Sequence, residues 1–396
     1  MSERVLRGLG WGHRRATAPM DAAARAFATD HGVRVEWDVQ PLSGFESALG
    51  PDLAARYDLV VFDHPFCGAI ARDGLLRPLD PDALAPGGLR DDGFIGRSLE
   101  SYRHDGWLWG LPMDGATQTA IWRPDLIDAP PDGWDAVLAC GARERAAGRA
   151  LGFAAKAPHG FLALLALCAN LGAPLAESPS VDIPIDETVL REAMDRLRAI
   201  WNLSDGRGID WDAIDLHEAM SRADDPAPIA YAPLAYHYLT YAEDDTPRRL
   251  RFADFAGPGA DPAAGTVLGG AGLGITQRCR DVEAATAFLR TLVSGPSQVA
   301  LVCDHHGQPA AVGAWDDGPS DAPYGGAREA TRRSMTRASL RPRFPGYIPF
   351  QHACGLATAR WLAGDVTDAA LASDIAHQWR RATGTEEPPR PGTDLS

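Results

Sequence analysis

Through the first 110 residues, short apolar runs alternate with helical patterns, and this alternation limits the fold more than any other feature. "RVLRGLG" (4–10) reads as a strand, "PMDAAARAFATDHG" (19–32) as a helix ended by Gly32, "VRVEWDV" (33–39) as a strand of period two, and "YDLVVFDH" (57–64) as a buried parallel strand. A β-α-β-α-β order predicts a parallel sheet covered by helices. Ligands of such sheets collect beyond the carboxyl ends of the strands. Two polar segments fall there, "GWGHRR" (10–15) and "DHPFCG" (63–68).

The chain's 396 residues exceed what one core organises, so two lobes and a cleft are expected. After "GWLWGLPMDGATQTAIWRPDLI" (106–127) a second apolar system follows. It contains "ALGFAAKAPHGFLALLALCANLG" (150–172), a strand, a polar turn and a buried helix, and then the helix "DETVLREAMDRLRAIW" (186–201). A strand is expected over 228–242, a glycine-broken strand over 266–276, and a helix in "RDVEAATAFLRTLVS" (280–294) with Asp281 near its start. Helical patterns at 346–364 and 365–382 close the chain, and "GTEEPPRPGTDLS" (384–396) reads as a frayed tail.

Several chemistries lack their signatures. A net charge of −15 argues against nucleic acid and against an anionic membrane surface. Lys156, the only lysine, has no Walker pattern around it. "GGAGLG" (269–274) does not open a helix after the first strand, so close backbone approach is the better reading than dinucleotide binding. No H-E-x-x-H, paired C-x-x-C or G-x-S-x-G occurs, so neither a metal nor a cofactor nor a serine nucleophile is expected; His305 and His306, on a strand, would face opposite ways. Cys67, Cys140, Cys168, Cys279, Cys303 and Cys354 are scattered singly, several in apolar runs, which predicts buried free thiols. "MSERVLRGLGWGHRR" lacks the basic, apolar and small-residue regions of an export signal, so a cytoplasmic location is expected.

The candidate ligand-binding residues sit at strand ends and strand-to-helix turns: Trp11, His13 and Arg14, Asp63 and His64, Asp114 and Gln118, Lys156 and His159. Tyr231, Tyr236, Gly270, Gln308, Trp315 and Tyr347 complete the set. Stacking aromatics with a few planar hydrogen-bonding groups suit a cleft for a small polar ligand.

The order of "GWGHRR", "YDLVVFDHP" leading to "GLLRPLD", "WGLPMDGATQTAIWRPDLI", "TVLGGAGLGIT", "GQPAAVGAW" and "RPRFPGYIPFQ" resembles the family 1 extracellular solute-binding proteins of ABC transporters, over nearly the whole chain. The resemblance implies a two-lobed, periplasmic-binding-protein-like (type II) α/β fold with a multi-segment hinge. One lobe would comprise 1–112 and 266–318, the other 113–265 and 319–396. It places Asp114 of "LPMD" on the cleft floor and makes Lys156 of "KAPHG" a cleft residue. Where the family typically has Gly-His-Arg after Gly-Gln-Pro, this chain has "GQPAAVGAW", two polar groups fewer. Two functions follow. The first is a binding protein closing on a carbohydrate-like solute or small organic acid, with an ABC permease as partner only if exported. The second is a cytoplasmic enzyme using His13, His64, Asp114 and Lys156 for acid–base chemistry on a small-molecule or acyl-CoA substrate.

Overall fold

Gly8 lies opposite Trp37, whose ring folds over it and leaves no room for a Cβ, and the helix between the two strands returns the chain so that they pair in parallel. In a computed structural model describing residues 4–47, 49–180 and 184–384, β1 (Arg4–Trp11) leads into α1 (Arg14–His31), and β2 (Val33–Gln40) and β3 (Leu59–Phe62) follow. Both pair parallel to β1, with Arg4 opposite Val33 and Gly8 opposite Leu59. A short antiparallel ribbon, β4 (Arg103–His104) with β5 (Trp107–Leu108), precedes β6 (Leu111–Asp114).

The chain then crosses to the second lobe. There β7 (Gln118–Trp122), α2 (Trp134–Ala146), β8 (Ala150–Leu151), α3 (His159–Asn170), α4 (Glu187–Leu203), β9 (Ile229–Tyr236) and β10 (Arg251–Ala253) form a sheet ordered β10-β7-β9-β8 with its helices. It returns to insert β11 (Ala271–Ile275), antiparallel, between β3 and β6, giving the first sheet the order β2-β1-β3-β11-β6. The longest helices after it are α5 (Val282–Arg290), α6 (Tyr347–Ala363) and α7 (Asp368–Thr383). Each lobe has its own core: Leu6, Phe27, Leu59, Phe62, Leu273 and Phe288 in the first, Phe161, Leu197, Phe350, Trp361 and Trp379 in the second.

Between the lobes three passages run side by side. Thr117 bridges to Leu268, and Val267 to Ser339. Gln118 Oε1 accepts from Val267 N at 3.0 Å, Thr117 Oγ1 donates to the Val267 carbonyl at 3.1 Å, and Gln308 ties Gly115 O to Leu239 N. A small apolar cluster, Ile95, Leu268, Trp315, Met335 and Leu340, seals this junction.

Four expectations are corrected. α1 begins at Arg14, not Pro19, because His13, a residue type not usually found there, caps it: its Nδ1 accepts from Arg15 N at 3.1 Å. Pro19 sits inside the helix, where its missing N–H removes one backbone bond. Only 271–275 of the stretch 266–276 is strand, since the residues before it make the crossing; β9 likewise stops at Tyr236, ahead of a 3₁₀ turn at 239–242. His305 and His306 lie in a turn, with His306 at φ 68°. The expected tail falls, from 385 on, outside the described residues.

Candidate functional site

The carboxyl end of β1 and the first turn of α1 bring Trp11 and Arg15 to a cavity of about 50 Å³ between the lobes. Trp11, 3% exposed, packs on Phe45 with ring centroids 4.9 Å apart. From the ends of β3 and β6 come Asp63 and Asp114, and the second lobe contributes His159 from α3, Tyr236 from β9, Tyr238 and Arg341. Gly270 completes the wall. Its φ of +95° lets the crossing strand lie against the Asp114 carbonyl, where a Cβ would collide.

Two buried ion pairs dominate the cavity. Arg15 holds Asp114 through both Nε (2.8 Å, to Oδ2) and Nη2 (to Oδ1), donates Nη1 to the His237 carbonyl at 3.0 Å, and lies over the Tyr238 ring, 4.5 Å from its centroid. Burial pushes the Asp114 carboxyl above its ordinary value, and Arg15 opposes that shift. The second pair joins the lobes: Arg341 Nη2 is 2.7 Å from both oxygens of Asp63. Burial favours neutral Asp63, but Arg341 and then His64 outweigh it and hold the carboxyl below its ordinary value.

The nearby histidines are kept neutral. Burial, and then the Arg341 charge, brings His64 down to about 4; burial does the same to His159 against the pull of Asp212. The four lining charges therefore sum to zero.

Six of the expected residues share this cavity: Trp11, Asp63, Asp114, His159, Tyr236 and Gly270. The others lie elsewhere. His13 and Arg14 line a separate groove beside Tyr241 and Asp245. Burial and then Arg15 bring His13 down to about 3, and Arg14 pairs across the lobes with Glu243 and, at 2.6 Å, with Asp245. His64 is fully buried behind Asp63, its Nδ1 3.3 Å from Oδ1.

Gln118 and Gln308 are taken up by the crossing, and Trp315 seals it while donating Nε1–H to the Pro309 carbonyl at 2.8 Å. Lys156 Nζ is 3.2 Å from Asp212 and faces a different groove, near His352. Tyr231 is in the second-lobe core and Tyr347 is fully buried in electrostatic contact with Arg341. His13, His64, Asp114 and Lys156 thus do not line one cavity.

Both arginines escaped the sequence reading. Arg15 had a signal: Arg15, Pro19 and Ala23 repeat every fourth residue on the buried face of α1, while Arg14 falls beside it. Arg341, between strand-like residues and Pro342, had none. Among the described residues, no group of three or more His, Cys, Asp or Glu is placed to hold a metal, and no helix is long and apolar enough to cross a membrane.

Two α/β lobes, joined by several chain passages and closed over a polar cavity, are the architecture of a solute-binding protein. The family model described as bacterial extracellular solute-binding protein matches residues 22–312, and the chain belongs to that family.

Proposed function

We propose that this protein binds a small polar solute, carbohydrate-like or a small organic acid, by closing the lobes 1–112 with 266–318 and 113–265 with 319–396 about the crossing strands. The Asp63–Arg341 pair carries this reading, because it joins the two lobes inside the cavity while Trp11 offers an aromatic wall beside it. Charges held in place by the protein cost no reorganisation when a polar ligand displaces water, and the aromatic face covers its apolar side. Lobe closure about a hinge couples binding to shape. We also propose a cytoplasmic location, supported by six cysteines that are all buried and unpaired; an ABC permease becomes a partner only for an exported form.

The test is a thermal-shift screen of sugars, polyols and organic acids, followed by X-ray scattering with any compound that stabilises the protein. A bound solute raises the melting temperature by mass action. A panel in which no compound shifts it at millimolar concentration overturns the proposal.

A further inference from the structure

The two lining arginines meet their carboxylates differently. Arg15 is fully engaged, with Nε and Nη2 on Asp114 and Nη1 on the His237 carbonyl. Arg341 meets Asp63 end-on through Nη2 alone, and its Nη1 lies 3.3 Å from Gln351 Oε1. Its Nε–H has no acceptor among the described residues, although the side chain is only 4% exposed. Trp11, another residue lining the cavity, has its indole Nε1–H buried with no acceptor among the described residues. The helix α3 opens there too, at His159, and its N-cap, Pro158, supplies no side-chain cap.

We infer that the solute carries a carboxylate, received by Arg341 Nε, Trp11 Nε1 and the first turn of α3. This rests on the binding reading above and narrows it to the organic-acid class. The unmet groups are N–H donors, and buried donors are costly unless something accepts from them. A carboxylate brings acceptors and no proton of its own, which is what unmet N–H donors call for. Its two oxygens can accept from Arg341 Nε and Trp11 Nε1 at once, and its charge suits a helix N-terminus. With the lining charges already balanced, a single negative charge fits better than a phosphate dianion. A cavity of about 50 Å³ has room for roughly three to five water-sized groups, which points to a short-chain acid.

Calorimetric titration at constant ionic strength compares acetate, glycolate and lactate with glycerol, erythritol, glucose and inorganic phosphate. The carboxylates should bind. Trp11→Phe, which removes the N–H together with the pyrrole half of the indole, should weaken them about tenfold; the gap it leaves beside Phe45 also lowers the ligand-free melting temperature, so affinity is compared at a temperature where the variant is fully folded. Arg341→Lys should weaken them at least as much. Because Arg341→Lys risks misfolding, a second readout is the indole ¹⁵N–¹H resonance of Trp11, assigned by its loss in Trp11→Phe, which should move as the carboxylate saturates the protein. If sugars, polyols or phosphate bind and the carboxylates do not, the carboxylate inference fails and solute binding stands. If the carboxylates bind but neither Trp11→Phe nor the indole resonance responds, the assigned site is wrong. If no compound binds, both this inference and the binding reading fall.

Discussion

Replacing Asp114 by alanine strands a cation. The side chains of Arg15 and Asp114 are 4% and 3% exposed, so the variant leaves a guanidinium in the interior with the His237 carbonyl and the Tyr238 ring as its remaining partners. Removing one member of a buried pair costs about 3–5 kcal/mol, mainly through the charge left behind. For a folding unit of lobe size this corresponds to a drop in melting temperature of roughly 6–20 °C. Asp114→Asn retains an acceptor and should fall between the variant and the parent. Replacing both partners, Arg15→Met with Asp114→Leu, removes the stranded charge and should recover most of the loss. Calorimetric melting of the four proteins checks the series. A drop below about 2 °C for Asp114→Ala, or a double variant no more stable than the single, would show that Arg15 does not depend on Asp114 and refute the reasoning.

Acid should destabilise the protein well above the carboxylate range. His64 and His159 have folded values near 4 against an ordinary 6.5, so the unfolded chain takes up their protons first; their contribution is whole above about pH 6.5 and is lost as pH falls toward 4. Each accounts for on the order of 3 kcal/mol, and urea unfolding at pH 7 and 4.5 should show the loss, with a shallower slope in His64→Gln; a flat profile would contradict it. Gly270→Ala should cost at least about 1–3 kcal/mol from its φ of +95°, with the collision against the Asp114 carbonyl added, and a neutral effect on denaturant unfolding would argue against the close approach. Arg14→Ala removes a pair across the lobes whose arginine side chain is 39% exposed, so stability should fall by no more than about 1 kcal/mol while the ligand-free particle widens in X-ray scattering; an unchanged radius of gyration would rule out a latch there.

Local pattern determined much of this protein. The alternation of apolar runs and helical stretches gave β1, α1, β2 and β3 their types, and the burial of a strand's carboxyl end put Trp11, Asp63 and Asp114 beside the cavity. The long apolar run 161–168 became the buried helix α3 for the same reason, since its side chains have no polar face to offer water. Tertiary structure decided what pattern cannot encode. Arg341 reaches Asp63 across 278 positions of sequence, only because the chain passes between the lobes and returns. Gln118, Gln308 and Trp315 look like ligand residues by type, yet the crossing strands leave backbone groups that need partners, and these side chains supply them or seal them off. Arg14 and Arg15 are neighbours in the chain and part ways in the fold, because one helical step of 100° sends the first to the separate groove beside Tyr241 and the second into the cavity. A residue's type and local period show what it can bond to; which partner it meets depends on segments brought together from distant parts of the chain, and only the folded topology sets that distance.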